Sequence, residues 1–526
     1  MCITLYVGTS PVGDIAPLDA NDATEGTPTL AQAIWLSRLV PPPPLCSGLG
    51  RCGHCRVRVA PPELAPRPTA DEAAMLTAQE LAQGWRLACR HSADCLPCGV
   101  SLHLPAAPRH TPPASTPGTS PGAAPAHEAL LAVDVGTTNL CWQALAPDGT
   151  VLAAGQQANP QMGAGADVLS RLAHARTRGG RSRLAGLLRT ALADIVAALP
   201  CPVGEMCLAA NTAMTALCLD ADISGLAAAP YTLPVAGDCR ACLPGLPPAY
   251  IPPQLAPFVG GDVSAGMAFL RECPDAAYPF LLADMGTNGE FVLALDGENA
   301  LVTSVPLGPA LEGIGLPFGD VAGSGVVTRF ALGPAGLVAT TLDGAPPRRI
   351  CGAGYLSLVR CLLQAGVLGG DGHFTTASPL PLGRKLLEQL DTSHGEARLP
   401  LPGGMYCAAS DVEEILKVKA AFSVAVESLL VAARLAPGAV RHVYLAGAMG
   451  EHIAPDTLEA LGFLSHGLAR CATAAGNTAL RGAALLLLKP HCRAPLAAWS
   501  RRCRVLDVAN APDFSTHYLR HMRFAP

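Results

Sequence analysis

Two stretches of this chain repeat one design. Residues 131–139 read Leu-Ala-Val-Asp-Val-Gly-Thr-Thr-Asn and residues 280–290 read Phe-Leu-Leu-Ala-Asp-Met-Gly-Thr-Asn-Gly-Glu. In each, an apolar run ends on an Asp and is followed by a Gly-Thr step. The apolar run predicts a buried strand, and the step predicts a tight turn whose backbone N–H groups and hydroxyls can face an anion. Asp134, Gly136, Thr137, Thr138 and Asn139 make the first turn; Asp284, Gly286, Thr287, Asn288 and Gly289 make the second. A single turn of this kind says little, because many strands end this way. Two of them predict two facing halves that grip one phosphate chain. Each Gly lets backbone approach a phosphate, and each Thr adds a hydroxyl donor. Each Asp can hold Mg2+, directly or through water, and position an attacking water. Asp134 and Asp284 are therefore the catalytic candidates.

A third glycine turn follows the apolar run 444–446. Gly447, Ala448, Met449 and Gly450 are small or slender enough to let a purine pack against the backbone. The plainer reading is a strand-to-helix turn that needs Gly for its own geometry; the other two turns favour the adenosine reading.

The N-terminal cysteines carry a different chemistry. Cys46-x5-Cys52-x2-Cys55 lies on one glycine-rich loop, and Cys89 follows after a gap of thirty-three residues. Glycines let the amides of such a loop turn inward and hydrogen-bond to sulfur, and a fourth thiolate from a separate strand closes the site. Plant-type [2Fe–2S] ferredoxins use C-x4-C-x2-C…C; this loop has one residue more, as in the adrenodoxin-like branch. Zinc also accepts four thiolates but usually takes two CxxC knuckles, and only one such pair lies here. Cys95 and Cys98 repeat the same spacing when measured from Cys89, so an alternative ligand set exists on paper. The run Arg86-Leu-Ala-Cys89 resembles the fourth-ligand strand of ferredoxins and favours Cys89. The chain holds 20 cysteines in all, and most stand alone in apolar surroundings, as Cys141, Cys207, Cys218 and Cys361 do. There, Cys is a small hydrophobe.

The division follows from composition. Residues 1–104 form a compact [2Fe–2S] ferredoxin-type unit. Residues 105–127 are a Pro/Ala-rich linker, able to span on the order of 60 Å when extended. Residues 128–490 form the main body, where strands and helices at 129–210 are followed by a second series from Phe280 to Ala446. Residues 491–526 read as an irregular tail. The formal charge is −5 and lysine occurs only at 385, 417, 419 and 489, with no basic block interleaved with aromatics. That argues against nucleic-acid binding. The sequence shows no signal-peptide pattern at its start and no run of about 18 apolar residues, so a cytoplasmic location off the membrane is expected. Disulfides are a poor account of the cysteines in such a compartment.

The triplet 134–138, 284–289 and 446–450 resembles the phosphate-1, phosphate-2 and adenosine motifs of the ASKHA superfamily of acetate and sugar kinases, heat-shock chaperones and actin. More narrowly, the chain resembles the reductive activators of corrinoid-dependent enzymes. Asn159–Gln161, Gly165–Arg171, Asn211–Met214, Val259–Asp262, Asp284–Glu290, Gly308–Gly313 and Ile350–Gly354 carry that match, together with the cysteine loop. The resemblance implies a β-grasp ferredoxin domain joined to a duplicated α/β ASKHA body. It also implies a [2Fe–2S] cluster, ATP with Mg2+, a corrinoid (cobalamin-binding) protein as client, an external low-potential electron donor and a homodimer formed through the ASKHA body. The activity it implies is ATP-dependent one-electron reduction of Co(II) to Co(I), serving a methyltransferase or a methionine synthase.

Two departures stand out. Related activators can carry a further domain between the ferredoxin and ASKHA parts, where only the Pro-rich linker is legible here. Leu311 also replaces a Phe usual in the family, a change confined to packing. Asn211 and Ser324 are loop polar residues weighed for a corrinoid-facing role against local structure, and local structure is the weightier. The rival functions are an ATP-driven electron donor to another low-potential enzyme such as a dehydratase, a small-molecule kinase fused to a redox sensor, and an ATP-gated binding module.

Overall fold

The computed structural model describes residues 3–15, 28–43, 45–97, 99–105, 128–273, 277–308, 310, 315–393, 395–447 and 453–524. The fold is α/β, and the description follows its two compact units separately: residues 1–269 with 479–497, and residues 270–478 with 498–526.

The first unit begins with β1 (Ile3–Val7), β2 (Ser10–Ile15), β3 (Arg56–Ala60), β4 (Trp85–Leu87) and β5 (Ser101–Leu104), arranged as a sheet in the order β2-β1-β5-β3-β4. The central pair β1–β5 is parallel while β1–β2, β3–β4 and β3–β5 are antiparallel. This is a β-grasp arrangement. The helix Leu30–Trp35 lies over it, started by a capping box in which Thr29 Oγ1 accepts from Gln32 N and Gln32 Oε1 accepts from Thr29 N. The helix stops at Trp35; Arg38 takes a left-handed φ of +64° and prolines follow. Leu5, Ile34, Val57, Leu87 and Leu102 fill the core beneath.

The same unit continues with β6 (Ala129–Val135), β7 (Asn139–Leu145), β8 (Val151–Ala158), β9 (Val203–Ala210), β10 (Cys239–Ala241) and β11 (Ala249–Ile251), in the order β10-β11-β9-β6-β7-β8. Three strands meander antiparallel, and β9 then lies parallel to β6. Such a sheet needs cover on its faces, and the helices Val168–Ala175, Gly180–Ala198 and Thr212–Cys218 supply apolar stripes that pack on Leu131, Val133 and Leu208. Leu36, from the end of the N-terminal helix, is buried in this second core.

The second unit repeats the plan. β12 (Phe280–Met285), β13 (Asn288–Ala294) and β14 (Ala300–Pro306) meander. A small sheet of β15 (Val326–Gly333), β16 (Gly336–Thr341) and β17 (Arg349–Ile350) and a hairpin of β18 (Arg398–Leu401) and β19 (Met405–Ala408) come next. Then β20 (His442–Ala446) and β21 (Ala472–Gly476) join β12 in parallel, and β22 (Arg504–Val505) pairs with β14. In the order β21-β20-β12-β13-β14-β22, the first five strands match β11-β9-β6-β7-β8 of the first sheet. Hence the predicted duplication is present in the backbone.

The expected irregular tail is ordered. It contains the helices Arg493–Ser500 and Phe514–His521 as well as β22. Lys419 Nζ donates to the carbonyls of His521 and Arg523, at 3.1 and 2.8 Å, and Phe524 is buried. Short apolar anchors spaced among polar residues hid this segment from periodicity arguments. No helix among the described residues is long and apolar enough to cross a membrane.

Candidate functional site

Asp134 sits near the end of β6, paired with Cys141 on one side and Ala209 on the other. Its side chain is half-buried, Gly136 is half-exposed, and Thr137 and Thr138 are buried. A Cβ on Gly136 would lie 2.8 Å from the carbonyl oxygen of Asn139, so the turn closes too tightly for any other residue. Three side chains frame the turn from behind. Asn159 Nδ2 donates to the Gly136 carbonyl at 2.8 Å, the Arg171 guanidinium donates to the Thr137 carbonyl, and Asn211 Nδ2 donates to Thr137 Oγ1 at 3.1 Å. With its carbonyls held from behind, the turn presents its other face to a ligand. Asn211 also caps the helix that follows β9, accepting from Met214 N at 2.9 Å. Its role is local to the turn, as the sequence favoured.

The second turn shares this pattern of burial through its Asp, Gly and first Thr. Asp284 is half-buried near the end of β12, Gly286 and Asn288 are half-exposed, and Thr287 and Gly289 are buried. Gly286 N donates to the Asn288 carbonyl at 3.1 Å, and the Thr287 carbonyl accepts from Gly308 N at 2.9 Å. Asp284 is the register partner of Ala446 on β20. The next residue, Gly447, has φ +85°, and a Cβ there would lie 2.8 Å from both Asp284 Oδ1 and the Met285 carbonyl oxygen. Thus Gly447 backs onto Asp284 at a position that only glycine fits. Ala448, Met449 and Gly450, and also Leu311 and Cys98, lie outside the described residues. Ser324 is exposed and hydrogen-bonds Asp343, a local turn contact.

The cysteine loop is built from left-handed residues, with φ of +51° at Ser47, +86° at Gly48, +72° at Gly50 and +67° at Gly53. Among the described residues no three His, Cys, Asp or Glu side chains converge as ligands of a single metal ion. The four thiols stand instead as two pairs. Cys46 hydrogen-bonds Cys52, and Cys55 Sγ lies 3.3 Å from Cys89 Sγ. The Cys52 thiol, helped by the amides of Cys52, Arg51 and Gly50, holds Cys46 down at about 5, and Cys52 is pushed up in return. In the second pair the Cys55 thiol lowers Cys89, and Cys55 is raised. Cys46, Cys52 and Cys55 are buried, and all four line one cavity of about 90 Å3. That is several times the ~10–15 Å3 one water requires, so a four-atom inorganic core has room. Two thiolates per iron is what a two-iron cluster asks, and the donor set fits it. Cys95 is exposed in a short turn and does not line this cavity.

Two family models match the chain in tandem: the RACo middle region over residues 130–271, and the C-terminal domain of RACo, the ASKHA domain, over residues 279–526. This chain belongs to the RACo family. The duplicated body is thus of ASKHA type, and the match runs through the C-terminal helices that the sequence left without a role. The family's middle region falls on the half that carries Asp134.

Relatives agree in name. The corrinoid activation enzyme RamQ of Eubacterium limosum is 24% identical over 425 residues, covering 75% of this chain and 70% of that protein. The [Co(II) methylated amine-specific corrinoid protein] reductase of Methanosarcina barkeri is 25% identical over 301 residues, covering 52% of this chain and 51% of that protein. A solved structure of a reductive activator for corrinoid, iron-sulfur protein superposes with a TM-score of 0.67 at 20% identity, covering 99% of this chain and 98% of that one.

The sequence did not single out Ser47, and named Arg171 only as the end of the matched segment Gly165–Arg171. Ser47 Oγ donates to Asp167 Oδ2 at 2.6 Å and accepts from Ala166 N at 2.9 Å. Arg171 left a readable signal. It occupies a position in the buried stripe Val168, Arg171, Leu172, Ala175, where helical spacing calls for an apolar residue.

Proposed function

We propose that the chain reactivates a corrinoid protein, using ATP and an N-terminal [2Fe–2S] centre to return its Co(II) to Co(I) by one-electron transfer. The observation that carries this reading is the two-by-two arrangement of Cys46 with Cys52 and Cys55 with Cys89, on the same chain as a duplicated Asp-x-Gly-Thr body. The RACo match and the names of the two curated relatives support a corrinoid client.

Each cysteine pair would hold one iron. When bound, the cluster supplies a single low-potential electron, near about −400 mV for plant-type centres. The protein's part is to bury three of the sulfurs and turn the loop amides toward them, which stabilises thiolate charge. An external low-potential donor recharges the site.

The phosphate-binding elements for ATP are the turns 134–139 and 284–289, with Gly447 beginning the adenosine side. Asn211 accounts for one acceptor site on the Thr137 hydroxyl, whose own hydrogen is then available to a phosphate oxygen. Asp134 and Asp284 organise Mg2+ and water. Each ~59 mV of one-electron mismatch costs a factor of ten in equilibrium. An uphill transfer to Co(II) therefore needs help, which we assign to client binding that removes an axial ligand and to ATP-driven conformational change that releases the product. ATP is not used to phosphorylate a substrate.

The test is anaerobic. The reduced, reconstituted chain should show a rhombic S = 1/2 EPR signal, and adding a Co(II) corrinoid protein should raise ATP hydrolysis. With ATP and a reductant, the Co(I) absorption band should grow. If that band fails to appear with every corrinoid protein of the same organism, the assignment is wrong.

A further inference from the structure

One short segment, Asn159 to Arg171, touches both functional elements of the first unit. At one end it holds the phosphate turn, through Asn159 Nδ2 on the Gly136 carbonyl and the Arg171 guanidinium on the Thr137 carbonyl. At the other it seats the cysteine loop. Met162–Gly165 line the same cavity as the four cysteines, and Ser47 is bonded to both Ala166 and Asp167. Gly163 backs directly onto the end of the N-terminal helix, where a Cβ would lie 2.9 Å from the Trp35 carbonyl carbon. Arg171 joins the two ends, since its Nε also donates to the Gly165 carbonyl at 2.9 Å.

The side chain of Arg171 is completely buried. Burying a guanidinium is costly unless its donors are satisfied, and here a planar, rigid fork places two of them on the Gly165 and Thr137 carbonyls and one on Met214 Sδ. A fork of fixed geometry transmits displacement in a way that a flexible ammonium does not. Phosphates that engage the N–H groups and the Thr137 hydroxyl pull on the same peptide units whose carbonyls Asn159 and Arg171 hold.

We propose that Arg171 is a positioning residue that couples phosphate binding at residues 136–139 to the seating of the cysteine loop on residues 162–167. The occupancy of the nucleotide site thereby sets how well the cluster site is covered. This rests on the nucleotide-and-cluster reading above. A ligand shifts such an equilibrium only through contacts that differ between the two states, and the Thr137–Arg171–Gly165 bridge supplies them.

The readout is the rate at which an iron chelator extracts iron from the reconstituted full chain, measured with and without the Mg2+ complex of the non-hydrolysable ATP analogue AMPPNP. In the unaltered chain the analogue should change that rate by about fivefold or more, the lower end of ordinary allosteric coupling. Ser47→Ala loosens only the cysteine side, so it should bring the ratio of the two rates to about one while AMPPNP still binds by calorimetry. Arg171→Lys should do the same. A merely structural role for Arg171 would change both rates together and leave the ratio intact.

A ratio of one in the unaltered chain with the analogue bound overturns the proposal, as does Ser47→Ala retaining the full ratio. If Arg171→Lys does not fold, Ser47→Ala decides. Absence of the rhombic EPR signal or of AMPPNP binding sinks the functional reading and this proposal together; an intact signal and intact binding with no ratio sink the proposal alone.

Discussion

Asn211 Nδ2 donates to Thr137 Oγ1 at 3.1 Å while Asn211 Oδ1 accepts from Met214 N at 2.9 Å. The second bond fixes which way the amide points, and so makes Asn211 a donor toward the phosphate turn. Asn211→Ala removes both. Nucleotide affinity should fall about tenfold, from roughly 1–1.5 kcal/mol of lost hydrogen bonding, as titration calorimetry with AMPPNP would read. Loss of the helix cap should also cost about 1 kcal/mol of stability. Unchanged affinity would mean that Thr137 does not meet the phosphates.

Cys55→Ser and Cys46→Ser each break one thiol pair, and both should lose the visible and EPR signatures of the cluster after reconstitution. Cys95→Ser should keep them, because Cys95 lies outside the cavity. A Cys95 variant without signal would move the ligand set to the alternative spacing.

Asp134→Asn and Asp284→Asn keep size and remove charge. ATP hydrolysis stimulated by the Co(II) client should drop by about a hundredfold or more, in the range typical for lost groups that manage protons and water. Each variant should still bind ADP in the absence of Mg2+. Full hydrolysis by either would show that its carboxylate only shapes the turn.

Gly447→Ala brings a Cβ to 2.8 Å from Asp284 Oδ1 at a φ of +85°. The strain should lower Tm by several degrees and also weaken adenine nucleotides. If inorganic triphosphate binds the variant as it binds the unaltered chain, the loss lies on the adenosine side; equal losses place it at Asp284.

Asp411, buried and accepting from Ala408 N at 2.9 Å, is pushed up to about 7 from 3.8, mainly by burial and further by Glu396. The folded chain therefore holds this proton where the unfolded chain has released it, and stability at this site falls as pH rises from about 4 to about 7. Asp411→Asn should raise Tm at pH 8, with the gain shrinking toward pH 4. An advantage independent of pH would rule out the titration.

Local signals were legible in the amino acids. The strands that carry Asp134 and Asp284 near their ends follow from neighbours a few residues apart. So does the cysteine loop, since its glycines take left-handed φ at little cost. Even the duplication could be read, because each half announces itself with the same apolar-Asp-x-Gly-Thr order. The C-terminal segment could not be read this way. Its two helices are short, and the segment holds its place through distant partners, such as Lys419 on the carbonyls of His521 and Arg523.

The Asp-x-Gly-Thr turns could therefore be named from their own residues as phosphate elements, because short-range sterics and hydrogen bonding specify a turn. What lies behind the first of them could not. Ser47 and Asp167 stand 120 residues apart in the chain, and Arg171 and Thr137 stand 34 apart. No local rule links such positions; they meet only once both cores have closed and Leu36 has been buried in the second. Packing alone put the cysteine loop against the segment that holds the phosphate turn.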